Sequence, residues 1–129
     1  MILNNRIKDT IINDIVKVCK KEIKENNNKE LLGLTVNYFY DGEVIDIGCV
    51  VHIFDNNKDE GYTKYISFTL NEGEININLL DLLNQYDINI RFNEIKKVAS
   101  EIKECLEAMD WGTLIKISED MFIDLELYD

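Results

Sequence analysis

The chain has 129 residues, of which 46% are hydrophobic and 30% charged, so it suits one folded domain spanning residues 1–129. Its net charge of −11, from 25 acidic and 14 basic residues, disfavours direct binding of nucleic acid, because phosphate contacts need basic patches. No apolar run approaches the ~20 residues of a membrane span, and the first residues lack the features of a secretion signal, so we expect a cytoplasmic protein that does not bind membranes.

Apolar residues at helical spacing predict an amphipathic first helix over about residues 4–26. Its apolar stripe includes Ile11, Ile15 and Ile23, and lysines fill much of the opposite side. Three consecutive asparagines, residues 26–28, end the helix, because asparagine tolerates turn conformations.

A β-hairpin follows, because the apolar period changes to two on both sides of Asp41-Gly42, a strong turn signal. A two-residue turn at this point sets a register in which all three apolar pairs share one face. The pairs that it aligns are Leu34 with Cys49, Val36 with Ile47, and Tyr38 with Ile45.

The opposite face of the hairpin carries Asn37, Asp46 and His52, the only histidine, and these residues form a candidate pocket. Asp46 and His52 are six residues apart on one strand, which is about 20 Å and too far for a hydrogen bond. Cys49 points to the other face. The strand therefore holds no Cys-His or Asp-His dyad, although a base at His52 with a distant nucleophile stays open.

The next segment contains a loop and a third strand, at about residues 62–70. Asp55, Asn57 and Asp59 match the first, third and fifth positions of an EF-hand calcium loop. Glu60 stands where the turn glycine is needed, and Ile66 where the bidentate glutamate is needed. The segment is therefore interpreted as a solvated hairpin loop.

The second half predicts a short helix at about 78–86, a longer helix from about Arg91 to Trp111-Gly112, and two strands at 114–118 and 121–128. The predicted order is α-β-β-β-α-α-β-β. We therefore expect an α+β domain with an antiparallel sheet of about five strands and helices packed on one face.

Three cysteines, Cys19, Cys49 and Cys105, lie far apart among apolar residues, so we expect buried, reduced thiols. A zinc site needs about four clustered ligands, which the single histidine cannot complete here. The glycines never cluster into a phosphate loop, and there is no Gly-x-Ser-x-Gly elbow. The sequence predicts no enzyme activity, metal or cofactor.

The C-terminal segment ISEDMFIDLELYD has five acidic residues and no basic one. Its aromatic and acidic side chains suit a patch that meets a basic protein surface. The alternative is an edge strand whose charges prevent aggregation between sheets. The candidate partner-binding residues are Glu119, Asp120, Phe122, Asp124, Glu126 and Tyr128.

In outline the chain resembles the small acidic immunity proteins that neutralise bacterial polymorphic or contact-dependent toxins. The resemblance covers the whole chain and includes the first helix, the hairpin segment NYFYDGEVIDIG, the long later helix and the acidic end SEDMFIDLELYD. It implies a cytosolic, non-enzymatic protein that binds and blocks a cognate toxin. Acidic charge would steer association with a basic nuclease toxin and mimic phosphate.

Two other functions remain open from the sequence. One is a small-molecule sensor or enzyme with a pocket between sheet and helices near His52, which ligand density in a deep polar pocket would support. The other is a structural subunit of a homo-oligomer with exposed strand faces at the interface, which light scattering would reveal.

Overall fold

The computed structural model describes residues 5–24, 28–40, 45–67 and 88–127, in which two helices and four strands follow one another. Further short helical turns are a π-helical segment, Lys20–Lys24, and a 3-10 turn, Trp111–Thr113. The main elements, labelled in chain order, are α1 (Asn5–Cys19), β1 (Lys29–Tyr40), β2 (Ile45–Asp55), β3 (Glu60–Ser67), α2 (Ile88–Glu107) and β4 (Ile117–Leu127).

The strands form one mixed sheet in the order β3-β2-β1-β4. The α+β class is confirmed, but the expected sheet of about five antiparallel strands is wrong, because the sheet has four strands and β4 runs parallel to β1. A parallel pair requires a crossover. The helix α2, about 30 Å long, lies between β3 and β4 in the chain, and β4 runs in the same direction as β3.

The tail forms one strand rather than the two predicted at 114–118 and 121–128. Its pairing with β1 is interrupted, since Leu31 pairs with Ile117 whereas Gly33 pairs with Phe122. Four residues of β4, 118–121, therefore lie opposite a single residue of β1, and the pairing is irregular there. The acidic pair that resembled a turn in the sequence, Glu119 and Asp120, lies at this irregularity.

The β1–β2 hairpin is confirmed, but its register is two residues away from the predicted one. Tyr38 pairs with Ile47 rather than Ile45, and four residues, 41–44, connect Tyr40 to its partner Ile45. Because side chains alternate with a period of two, a shift of two residues leaves every side chain on its expected face. The turn residues Asp41 and Gly42 lie outside the described residues.

The core lies between one face of the sheet and the two helices. Fully buried residues of the sheet meet Ile15 of α1 and Ile102 of α2, and the Trp111 indole N–H donates to the carbonyl of Leu106 at 2.9 Å. The sheet residues with no exposed surface that contribute to this core are Leu31, Leu34, Val36, Ile47, Cys49, Val51 and Ile53.

The first helix and the third strand lie close to their predicted positions. Helix α1 ends at Cys19 and continues as the π-helical segment to Lys24, close to the predicted 4–26. The third strand spans Glu60–Ser67, and in the loop before it the Asn57 amide donates to the carboxylate of Asp55, the last residue of β2, at 3.0 Å. The short helix expected at 78–86 lies outside the described residues. Neither described helix has the length and apolar character of a membrane span.

Candidate functional site

The face of the sheet opposite the helices is not covered by any described element, and we call it the open face. Three rows of its residues cross the whole sheet from β4 to β3, as the strand register shows. The rows are Phe122, Gly33, His52 and Thr63; then Asp124, Thr35, Val50 and Tyr65; then Glu126, Asn37, Gly48 and Ser67.

Phe122 covers Gly33 and contacts His52. A Cβ atom built on Gly33 would lie 2.6 Å from ring carbons of Phe122, so glycine at this position lets the ring lie flat on β1. The Phe122 and His52 rings are 5.2 Å apart between centroids and tilted by 51°. Aromatic pairs prefer such tilted contacts, and the pair forms one wall of the face.

Tyr65 covers Gly48 in the same manner on the other side of the face. A Cβ atom on Gly48 would lie 2.6 Å from the Tyr65 hydroxyl oxygen and 2.5 Å from the backbone oxygen of Ile66. Both aromatic residues keep exposed surface, 49% for Tyr65 and 36% for Phe122. The open face therefore presents two exposed aromatic rings, and a strip of the sheet lies between them.

The polar groups of this strip are His52, Thr35 and Asn37. The His52 Nε2 atom and the Thr35 hydroxyl are hydrogen-bonded at 2.9 Å. Burial lowers the pKa of His52 from its ordinary value of 6.5, while the charges of Asp124 and Glu126 act in the opposite direction and raise it. At neutral pH the imidazole is therefore uncharged, and it adds no positive charge to the face.

A cavity of about 350 Å³ lies on this strip, beside the Tyr65 ring and the His52 imidazole. Asn37 is only 2% exposed, and its side-chain nitrogen is buried without a hydrogen-bond partner. An unpaired buried donor costs about 1–3 kcal/mol, so this amide is a group that a bound acceptor would satisfy. The residues that line the cavity are Thr35, Asn37, Val50, His52, Thr63, Tyr65 and Glu126.

Charge on the open face has one sign. Asp124 and Glu126 are exposed on β4, the edge strand, and no lysine or arginine occupies a position in the three rows. Exposed carboxylates beside aromatic rings and without basic neighbours create a negative potential over the face.

The structure brings together part of each residue group predicted from the sequence. Phe122, Asp124 and Glu126 share the open face, and so do Asn37 and His52. The two groups are neighbours on this face, because β4 lies directly beside β1.

Other predicted site residues lie elsewhere. Glu119 and Asp120 are exposed at the irregularity of β4, beyond the rows. Asp46 pairs with Phe39 one row further along, although its side chain lies outside the described residues, as does Tyr128. Because His52 faces away from the helices, a pocket that it lines does not lie between sheet and helices.

None of the three cysteines lies on the open face. Cys19 and Cys49 are buried on the helix side, where burial raises the pKa of the Cys19 thiol to about 12 and raises that of Cys49 as well. Cys105 is half-buried on α2. Within the described part of the chain, no three His, Cys, Asp or Glu side chains come close enough to hold a metal ion.

Tyr65 and Thr35 were missed as site residues by sequence reasoning. The hairpin pattern already assigned Thr35 to the face of Asn37 and His52, so that signal was available. The position of Tyr65 depends on the register of β3 against β2, and no sequence signal fixes that register. No family model, curated protein or solved structure matches this chain.

Proposed function

We propose that this protein is a non-enzymatic binding protein that docks its open face onto a basic surface of a partner protein. The observation that supports this function best is the composition of that face. It combines the exposed rings of Phe122 and Tyr65 with the carboxylates of Asp124 and Glu126, and its three rows contain no lysine or arginine. Aromatic residues are enriched at protein interfaces, and charge complementarity selects the partner.

The partner would be a cationic domain, because the whole chain carries a net charge of −11 and would steer such a domain toward it. A toxin that binds nucleic acid has a basic surface by necessity. The specific form of the proposal is therefore an immunity protein that covers the basic surface of a cognate toxin.

A second copy of the chain is a poorer occupant of the same face. A twofold contact centred on β4 would bring Asp124 and Glu126 close to their own copies, and like charges at an interface cost several kcal/mol. Light scattering at several concentrations distinguishes the two arrangements, since we expect the isolated chain to stay monomeric. A dimer that Glu126→Lys disrupts would contradict the proposal.

The proposal predicts that a gene beside that of this protein encodes a basic domain, and the direct test measures binding to that domain. Isothermal titration compares the wild type with the double variant Asp124→Asn/Glu126→Gln. We expect at least about tenfold weaker binding by the variant, because charge pairs at interfaces contribute more than ~1.5 kcal/mol each.

The matched control is Glu104→Gln/Glu107→Gln, which removes the same charge from exposed positions of α2. We expect the control to bind within about twofold of the wild type, because surface charges distant from an interface contribute little. Equal weakening by both variants would show that net charge, and not the open face, determines binding. Absence of a basic partner among the neighbouring gene products would also contradict the proposal.

A further inference from the structure

We propose that the cavity on the open face receives one arginine side chain of the basic partner. This inference rests on the proposed function and assigns the cavity as the central contact of that interface. The cavity holds about 350 Å³, at the lower end of the volumes of ligand pockets, so it suits a single arginine residue with its side chain and carbonyl.

The walls of the cavity provide the two contacts that a guanidinium group prefers. Glu126 lines it on the β4 side with an exposed carboxylate, and Tyr65 lines it on the β3 side with an exposed ring. A planar guanidinium binds a carboxylate through two parallel hydrogen bonds and stacks on an aromatic face. Lysine has neither the planar shape nor the paired donors.

The floor of the cavity offers a donor that needs an acceptor. The Asn37 side-chain nitrogen is buried and has no partner, and a guanidinium cannot satisfy it because guanidinium has no acceptor. A main-chain carbonyl beside the inserted arginine can. The site would thus recognise a carbonyl and a cation together, which an arginine residue within a polypeptide supplies.

A second cavity, of about 420 Å³, is a weaker candidate. It lies between the helices and is lined by residues that include Lys8, Asp9 and Cys105. None of its lining residues carries a buried polar atom without a partner, as Asn37 does in the first cavity. Its lysine would also repel a cation, so the open face is the better site for arginine.

The experiment titrates N-acetyl-L-arginine methylamide into the isotope-labelled protein and follows the side-chain amide of Asn37 and the imidazole of His52 by NMR. N-acetyl-L-citrulline methylamide is the matched ligand, since it keeps the shape and loses the charge. We expect both signals to shift with the arginine compound, and the citrulline compound to bind at least about tenfold more weakly.

The protein variants repeat the comparison. Glu126→Gln should weaken binding of the arginine compound at least about tenfold, whereas Glu119→Gln, on the same strand but outside the cavity, should leave it unchanged. Both positions are exposed, so thermal unfolding should confirm that both variants fold. Equal binding of the two ligands, or equal weakening by the two variants, would overturn the inference.

The titration also separates this inference from the proposed function. If the arginine compound binds at Asn37 but the neighbouring basic domain does not bind, the proposed function fails and the arginine site stands. If the basic domain binds and Glu126→Gln behaves like Glu119→Gln, the interface stands and the arginine site fails.

Discussion

At the scale of single residues, two glycines determine how closely the aromatic rings approach the sheet. A Cβ atom on Gly48 would lie 2.5 Å from a backbone oxygen, which cannot move away, whereas the three atoms nearest to one on Gly33 all belong to the exposed ring of Phe122. We expect Gly48→Ala to destabilise the protein by about 1–3 kcal/mol, as overpacking does. Gly33→Ala should stay within about 1 kcal/mol of the wild type, because reduced entropy of the unfolded chain offsets displacement of the ring.

Chemical denaturation measures both changes, and Tyr65→Ala provides the control background. The backbone clash should persist when the Tyr65 ring is removed, so Gly48→Ala should remain destabilising in that background. If Gly48→Ala costs nothing once Tyr65 is alanine, the clash with the Ile66 oxygen is not the cause.

Protonation of His52 on the open face makes the folding stability depend on pH. Burial lowers its pKa below the ordinary value of 6.5, so between the two values the unfolded chain binds a proton that the folded chain does not. The contribution of His52 to folding stability is therefore fully present above pH 6.5 and is lost as the pH falls through 6.5 toward the folded pKa. We expect unfolding experiments on the wild type to show this slope, and His52→Gln to lack it.

The carboxylates beside His52 act in the opposite direction, so their removal should lower its pKa further. An NMR titration of Asp124→Asn/Glu126→Gln should place the His52 pKa below that of the wild type, with Glu104→Gln/Glu107→Gln as the control. An unchanged His52 pKa in the first variant would show that the two carboxylates do not act on the open face.

At the scale of elements, the sequence predicted faces better than registers. Alternation placed Asn37 and His52 on one face and Cys49 on the other, because burial of one face imposes a period of two. Alternation could not distinguish a two-residue turn from a four-residue connection, since both keep the same side chains on each face. The pairing of β4 with β1 could not be predicted from the sequence either, because it depends on where the chain returns to the sheet after α2 and not on any local sequence pattern.

The register of the hairpin can be tested with the native Cys49. In the structure Cys49 pairs with Val36, whereas the two-residue turn would pair it with Leu34. Paired Cα atoms of antiparallel strands are about 4.5–5.5 Å apart, within the range of a disulfide, and diagonal neighbours lie at about 7–8 Å. We therefore expect Val36→Cys to form a disulfide with Cys49 on oxidative refolding, as detected by mass spectrometry of peptides. Preferential crosslinking of Leu34→Cys would contradict the register.

At the scale of the whole molecule, charge and topology act together. The sequence predicted the α+β class and the acidic strand, but not that this strand would lie beside the polar face of the hairpin. Because β4 lies beside β1, Glu126 pairs with Asn37, and both residues line the cavity. This adjacency depends on pairs of residues that are far apart in the chain, so neither the composition nor the local pattern of β4 could have predicted it.

If the open face binds a basic partner through its carboxylates, as proposed, these carboxylates should accelerate association with that partner. Stopped flow would follow the association rate with the basic domain that we expect a neighbouring gene to encode, over a range of salt concentrations, for the wild type and Asp124→Asn/Glu126→Gln. We expect the wild-type rate to fall steeply as salt screens the charges, and the variant rate to be lower with a shallower dependence. Identical rates and identical salt dependence for the two proteins would contradict the account.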